Sequence, residues 1–219
     1  MTGTITSLVV QERNKERVSV YIDGEFAFGL AMIEALKLRK GQQLSAEEIA
    51  RLRALDEIEV AHENALNFLS YRPRSTHEVH RKLEERKFSQ QAVEKVLERL
   101  DHAGLLDDEA FARYWVENRE QFGPRSVRAL RQELRQKGVP DSIVAAALEG
   151  LDEEDTAYRA ASHQARRLAG LDRQVFSKKL GDFLTRRGFS YAVSRDVIKR
   201  LWAERYEQSD GTENNLEVD

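Results

Sequence analysis

The sequence predicts a mainly α protein. Three tandem three-helix repeats are expected, preceded by a small strand-containing unit. Three observations predict this. Beyond residue 60, apolar residues recur at helical spacing almost without a break. One phrase is written twice: "YRPRSTHEVHRKL" over 71–83 and "FGPRSVRALRQEL" over 122–134. Each sets an aromatic two residues before Pro-Arg-Ser and then starts an amphipathic run. A third copy lies about fifty residues further on, so the period is that of a repeat protein.

The first thirty residues read differently. "TITSLVVQE" and "RVSVYID" are β-branched and partly alternating, and "EFAFGL" follows Asp23-Gly24. Asp-Gly between apolar runs is a hairpin signal, so two or three short strands are expected from Thr4 to Phe28. A helix near Ala31 to Leu36 and a turn at Lys40-Gly41 follow. Ser45 with Glu48 three residues on is a capping box, starting a helix that runs through "AEEIARLRALDEIEVAHENALNFL", with room for one break around Asp56. This unit, 1–60, is too small to carry much stability alone.

The repeats are expected at 61–106, 107–153 and 154–206. Aligning Leu83, Leu134 and Leu184 brings Val79, Leu130 and Leu180 together. Ser75, Ser126 and Phe176 then align, as do Phe88, Val139 and Phe189. Val93 and Val144 meet Ser194, the one position that fails. The third copy also lacks Pro-Arg-Ser, reading "LDRQVFS" there. Gly138 and Gly188 suit a left-handed residue after a helix, Ser89 and Ser190 suit N-caps, and Pro140 suits a first helical turn. In the middle repeat the helices are placed at 108–121, 126–137 and 141–151. The stripe of the first is Phe111, Trp115 and Asn118, with Phe122 closing it. Pro73 and Pro124 punctuate helix starts. The tail "EQSDGTENNLEVD", 207–219, holds five acids and no Lys or Arg. It has little to bury and is expected to be disordered.

Composition narrows the chemistry. With no cysteine there is no disulfide framework, thiolate nucleophile or cysteine zinc site, and cytoplasm is the simplest compartment. No apolar run approaches the ~18–20 residues that span a bilayer, and "MTGTITSLVV" lacks the basic start of a signal peptide. His77 and His80 with Glu84 could present two imidazoles and a carboxylate on one face, but "HEVH" is not a metalloprotease motif, and a solvated face is the better reading. The acid pairs sit at helix starts or on exposed faces, where capping explains them. No phosphate-binding, dinucleotide-binding or nucleophile-elbow motif occurs. The expectation is no enzyme, no metal and no cofactor.

Basic residues carry more information. Net charge is −3, and without the acidic tail the rest is slightly basic. On the second helix of the middle repeat, Val127, Leu130 and Leu134 form the inward stripe. Arg128, Arg131 and Arg135 fall in one line about 100° round from it. Arg125 and Lys137 flank them, and Glu133 is the acid among them. Such a row suits phosphates or an acidic protein surface. Phe111, Trp115 and Trp202 read as core, while Tyr114 is the aromatic placed to stack on a base.

These residues resemble a known family. "GLLDDEAFARYWVENR" (104–119) followed by "GPRSVRALRQELRQKGV" (123–139) is similar to the core of the RecX regulatory proteins. The resemblance covers about 61–206, and the strand-rich unit is similar to the extension of longer members; it implies that the three helix-turn-helix-like repeats form an elongated curved array. It implies a non-enzymatic modulator of the RecA recombinase that binds the RecA filament on single-stranded DNA, inhibiting ATP hydrolysis and strand exchange. It implies contact with single-stranded DNA, directly or through RecA, and with double-stranded DNA, by a monomer. The turn at 104–108 would orient the first two repeats. The binding residues expected are Arg125, Arg128, Arg131, Arg135 and Lys137, joined by Arg72, Arg74, Lys178, Arg186 and Arg187. A sequence-tolerant DNA-binding protein acting without RecA is the alternative, and a plain helical scaffold a third.

Overall fold

The computed structural model describes residues 2–12 and 14–213, with side chains up to Arg205. The chain divides into two compact units, Met1–Asp107 and Asp108–Asp219. Among the described residues there are ten helices and four short strands.

The first unit opens with β1 (Gly3–Val10), β2 (Arg17–Ile22) and β3 (Glu25–Ala31), and β4 (Gln43–Leu44) completes an antiparallel sheet in the order β3-β2-β1-β4. Asp23 and Gly24 turn the β2–β3 hairpin at φ +50° and +89°, as the Asp-Gly signal requires. One sheet face, including Ile5, Val18, Val20, Phe28 and Leu30, is buried with Leu44 and Leu52. A short helix, α1 (Met32–Ala35), leads to the turn at Gly41.

Helix α2 (Ala46–Leu69) starts from the Ser45 capping box and does not break at Asp56. The mid-helix acid has a partner: its carboxylate is ion-paired with Arg17 of β2. Continuity lets one helix serve two cores. Ile49 and Leu52 pack under the sheet, whereas Ala61, Ala65 and Phe68 pack into the first three-helix module. The division expected at residue 60 therefore falls inside a helix. Helices α3 (Thr76–Glu85) and α4 (Gln90–His102) complete that module, and Glu57 of α2 accepts from both the N–H and the hydroxyl of Ser89 at 2.7 Å. Gly104, at φ +66°, ends α4, and Leu106 is buried in the same core.

In the second unit, α5 (Asp108–Phe122), α6 (Val127–Gln136) and α7 (Asp141–Ala147) form one module. Helices α8 (Glu153–Arg167), α9 (Arg173–Arg186) and α10 (Tyr191–Glu213) form the next. The repeat holds in the packing. Leu83, Leu134 and Leu184 are each fully buried, and Val79, Leu130 and Leu180 at most 1% exposed. Ser75 and Ser126 cap α3 and α6, accepting from Glu78 and Ala129 N–H groups at 3.1 Å. The third copy substitutes Asp172, which accepts from Gln174 and Val175 and starts α9 earlier. Phe176 then lies within the helix and fills the core. Gly138 and Gly188 take φ +74° and +92°, and Lys87 holds the same place at +64°.

Three expectations change. Phe122 is 74% exposed: α5 buries Phe111, Ala112 and Val116 instead, and its last turn leaves the core behind. Pro140 stands at the N-cap itself, one residue before the first turn. The acidic tail is divided: α10 continues as backbone through 207–213, and the remainder of the stretch expected to be disordered, 214–219, lies outside the described residues.

Candidate functional site

Helix α6 fixes the candidate surface. Its inward line, Leu130 and Leu134, is buried, and Val127 packs at its edge. The 3.6-residue period then obliges Arg128 and Arg131 to face solvent. Both are exposed, and neither makes a hydrogen bond or ion pair to a described residue. Desolvation therefore does not hinder an incoming anion, and two guanidiniums one turn apart match adjacent phosphates or carboxylates.

The rest of the expected row is already engaged. Glu133 gathers three donors: Trp115 Nε1 and Arg119 Nε at 2.8 Å, and Arg125 Nε at 2.9 Å. Arg135 Nε donates to Asp141 Oδ1 at 2.6 Å. That hydrogen bond, with the charges of Arg135 and Arg131, holds the Asp141 carboxyl below the usual carboxylate range. Lys137 Nζ sits 4.1 Å from the Trp115 ring centroid, a cation–π contact. The row of five is thus a pair of exposed arginines that make no hydrogen bond or ion pair to a described residue, Arg131 acting on Asp141 through its charge alone, with structural cations round it. Trp115 is core and hydrogen-bonded, and Tyr114 is half-buried.

The duplicated Pro-Arg-Ser phrase has a structural use in each module. Arg72 donates to both Glu78 carboxylate oxygens, at 2.8 and 3.3 Å, locking the α3 capping box. Arg74 stacks over Phe68 at 4.0 Å. In the second unit the phrase also receives the third module. Ser126 N–H donates to the Arg187 carbonyl at 3.1 Å, and Arg187 Nη1 donates to the Pro124 carbonyl at 3.0 Å. A Cβ at Gly188 would come within 2.6 Å of Ser126 Oγ, so the two turns touch as backbone. Arg187 also lies over Phe183 at 4.6 Å. Burial, then the charge of Arg125, lowers its pKa. Arg186 is exposed, and Lys178 lies in the third module on α9, away from the α6 pair in sequence and in its own cleft.

His80 pairs with Glu84 at 3.3 Å. Among the described residues no cluster of three or more His, Asp or Glu is placed to hold a metal ion, and no helix is long and apolar enough to cross a membrane. The part sequence reasoning missed is the Glu133 hub. Its signal was visible as the lone acid on a basic helix, but two of its three partners, Trp115 and Arg119, come from α5, and only the fold brings them within reach.

Comparison with known proteins follows this division. The RecX N-terminal domain profile matches residues 3–45, and the first, second and third RecX three-helix domains match 61–100, 107–148 and 152–198. The "Regulatory protein RecX" of Bacillus subtilis (strain 168) is 30% identical over 215 residues, covering 95% of this chain and 80% of that protein. That of Prosthecochloris aestuarii is 40% identical over 137 residues, 63% of this chain and 90% of the relative. A crystal structure of regulatory protein RecX superposes with a TM-score of 0.65 at 28% identity, covering 89% of this chain and 98% of its own. RecX from Lactobacillus salivarius, at 24% identity and TM-score 0.56, shares the fold. With relatives aligned along nearly its whole length and each module matched in order, this chain belongs to the RecX family of regulatory proteins.

Proposed function

We propose that this protein is a regulator of RecA that binds the RecA filament on single-stranded DNA and lowers its ATPase, recombinase and coprotease activities, without catalysis of its own. The observation that carries this reading is the Arg128–Arg131 pair, exposed and without a hydrogen bond or ion pair to a described residue, on a helix whose other face is locked in a core. Such a pair recognises anionic groups on a polymer surface, either filament carboxylates or DNA phosphates. Further modules in the same chain raise the effective concentration of any second contact. In this reading the protein acts as a monomer beside cytoplasmic RecA and needs no cofactor.

The same pair also favours a second reading, a DNA-binding protein that acts without RecA. RecA ATPase on single-stranded DNA, measured with and without this chain, tests the first reading. A fall in turnover at sub-stoichiometric chain supports it. Binding to RecA-coated and naked DNA across a salt series separates the two. Higher affinity for coated DNA favours the regulator, and equal affinity favours the DNA-binding reading.

A further inference from the structure

The third module departs from the other two at two facing positions. Gly181 stands on α9 where α3 has His80 and α6 has Arg131. Ser194 stands on α10 where α4 has Val93 and α7 has Val144. Between these residues lies a cleft of about 580 Å³, within the range of small-molecule sites. A Cβ at Gly181 would already touch Ile198 at 3.8 Å, so any longer side chain there would compete for the same space.

The floor is chemically unfinished. Ser194 is 4% exposed, and its hydroxyl has no hydrogen-bond partner among the described residues. Val93 and Val144 meet no such problem at the same place, each 1% exposed in an apolar core. A buried hydroxyl without a partner is costly, and an unmet bond in a cleft wall calls for a ligand that supplies it.

The rim sets the ligand's charge. Arg173, Lys178 and Lys199 line the cleft and make no hydrogen bond or ion pair to a described residue. Arg195 is held by Asp196 at 2.9 Å, and Asp182 is the one acid in the lining. The excess of cations selects an anion. The α10 wall sets its shape. Tyr191, Ser194, Ile198 and Trp202 succeed one another on one helix face, with Tyr191 83% exposed at the mouth. A flat ring with polar edges fits between an exposed aromatic and an orphaned hydroxyl. An aliphatic anchor would leave the hydroxyl unpaired.

We propose that the α9–α10 cleft binds one nucleoside phosphate unit, its base against Tyr191 and its edge on Ser194, its phosphate on Arg173, Lys178 and Lys199. The unit is either a free nucleotide or one residue of a single strand. This inference stands without the filament reading, because its test contains no RecA.

The test uses the full chain, titrated with the four deoxynucleoside 5′-monophosphates and with a labelled oligothymidylate. Ser194→Val writes the residue of the other modules into the third. It should raise thermal stability while weakening binding about fivefold, the effect of one hydrogen bond. Tyr191→Ala should weaken binding about tenfold through lost stacking. Binding of both probes, weakened by Ser194→Val or Tyr191→Ala, identifies a free-nucleotide cleft, and binding of the oligomer alone, weakened by the same variants, identifies a strand subsite; either upholds the proposal. Absence of binding by every probe, or binding indifferent to both Ser194→Val and Tyr191→Ala, overturns it.

Discussion

Leu130 and Leu134 of the second module and Leu180 and Leu184 of the third hold the same places, and none is more than 1% exposed. The residues between them differ in kind. Where the second module has Arg131 and Glu133, the third has Gly181 and Phe183. In the second, Glu133 binds three donors and leaves Arg128 and Arg131 standing on the surface. In the third, Phe183 stacks with Arg187 and Gly181 leaves a cleft. A three-helix core needs only its leucine stripe and its caps. The other helical positions are free to carry different chemistry, and duplication supplies the copies on which to do so.

Core truncation gives the largest expected effect. Leu134→Ala and Leu184→Ala should each cost about 2–5 kcal/mol by denaturant unfolding, as for other fully buried leucines. Similar costs would support equivalent cores, and one tolerated truncation would break the equivalence. Glu133→Ala should cost about 1–2 kcal/mol, because Trp115 and two arginines lose their acceptor while staying partly solvated. A neutral Glu133→Ala would show that the hub is only a surface pair. Gly188→Ala should cost about 1–2 kcal/mol, since the added Cβ must adopt a left-handed φ and meet Ser126. At the matching place in the first module the sign reverses: Lys87→Gly should gain about 0.5–1 kcal/mol, because Lys87 already bears φ +64°.

The smallest effect concerns Asp56. Burial raises its pKa, opposed by Arg17. The folded state then holds this proton at pH values where the unfolded chain has released it. Stability should therefore fall as pH rises from the ordinary aspartate value through the raised one. Asp56→Asn should flatten that slope in unfolding measurements, and a slope of the opposite sign would contradict the burial argument.

The sequence made the repeat legible because its signals are local or periodic. Leu83, Leu134 and Leu184 announce themselves by spacing, Ser45 and Ser89 by the turn they cap, and Asp23-Gly24 by its dihedral demands. The continuous α2 was less legible, since an acid in mid-helix reads as an interruption until Arg17 on a strand 39 residues earlier is brought against it. The geometry of the candidate surface was half legible for the same reason. Period put Arg128, Arg131 and Arg135 on the exposed side of α6, where all three stand. Period does not say which of them find an acid. Asp141 lies at the start of the next helix, and the other donors to Glu133 come from α5 and the preceding turn. Ser194 was visible as a mismatch in the repeat, but its orphaned hydroxyl and the cleft above it exist only in the packed module.

The central claim is that two exposed arginines on α6, neither in an ion pair with a described residue, grip an anionic polymer surface. The most direct measurement is inhibition of RecA ATPase on single-stranded DNA by the Arg128→Glu/Arg131→Glu double variant, with far-ultraviolet circular dichroism as the fold control. Loss of inhibition by at least about tenfold in potency, with helicity unchanged, is the expected result. Undiminished inhibition by a folded double variant would contradict the account.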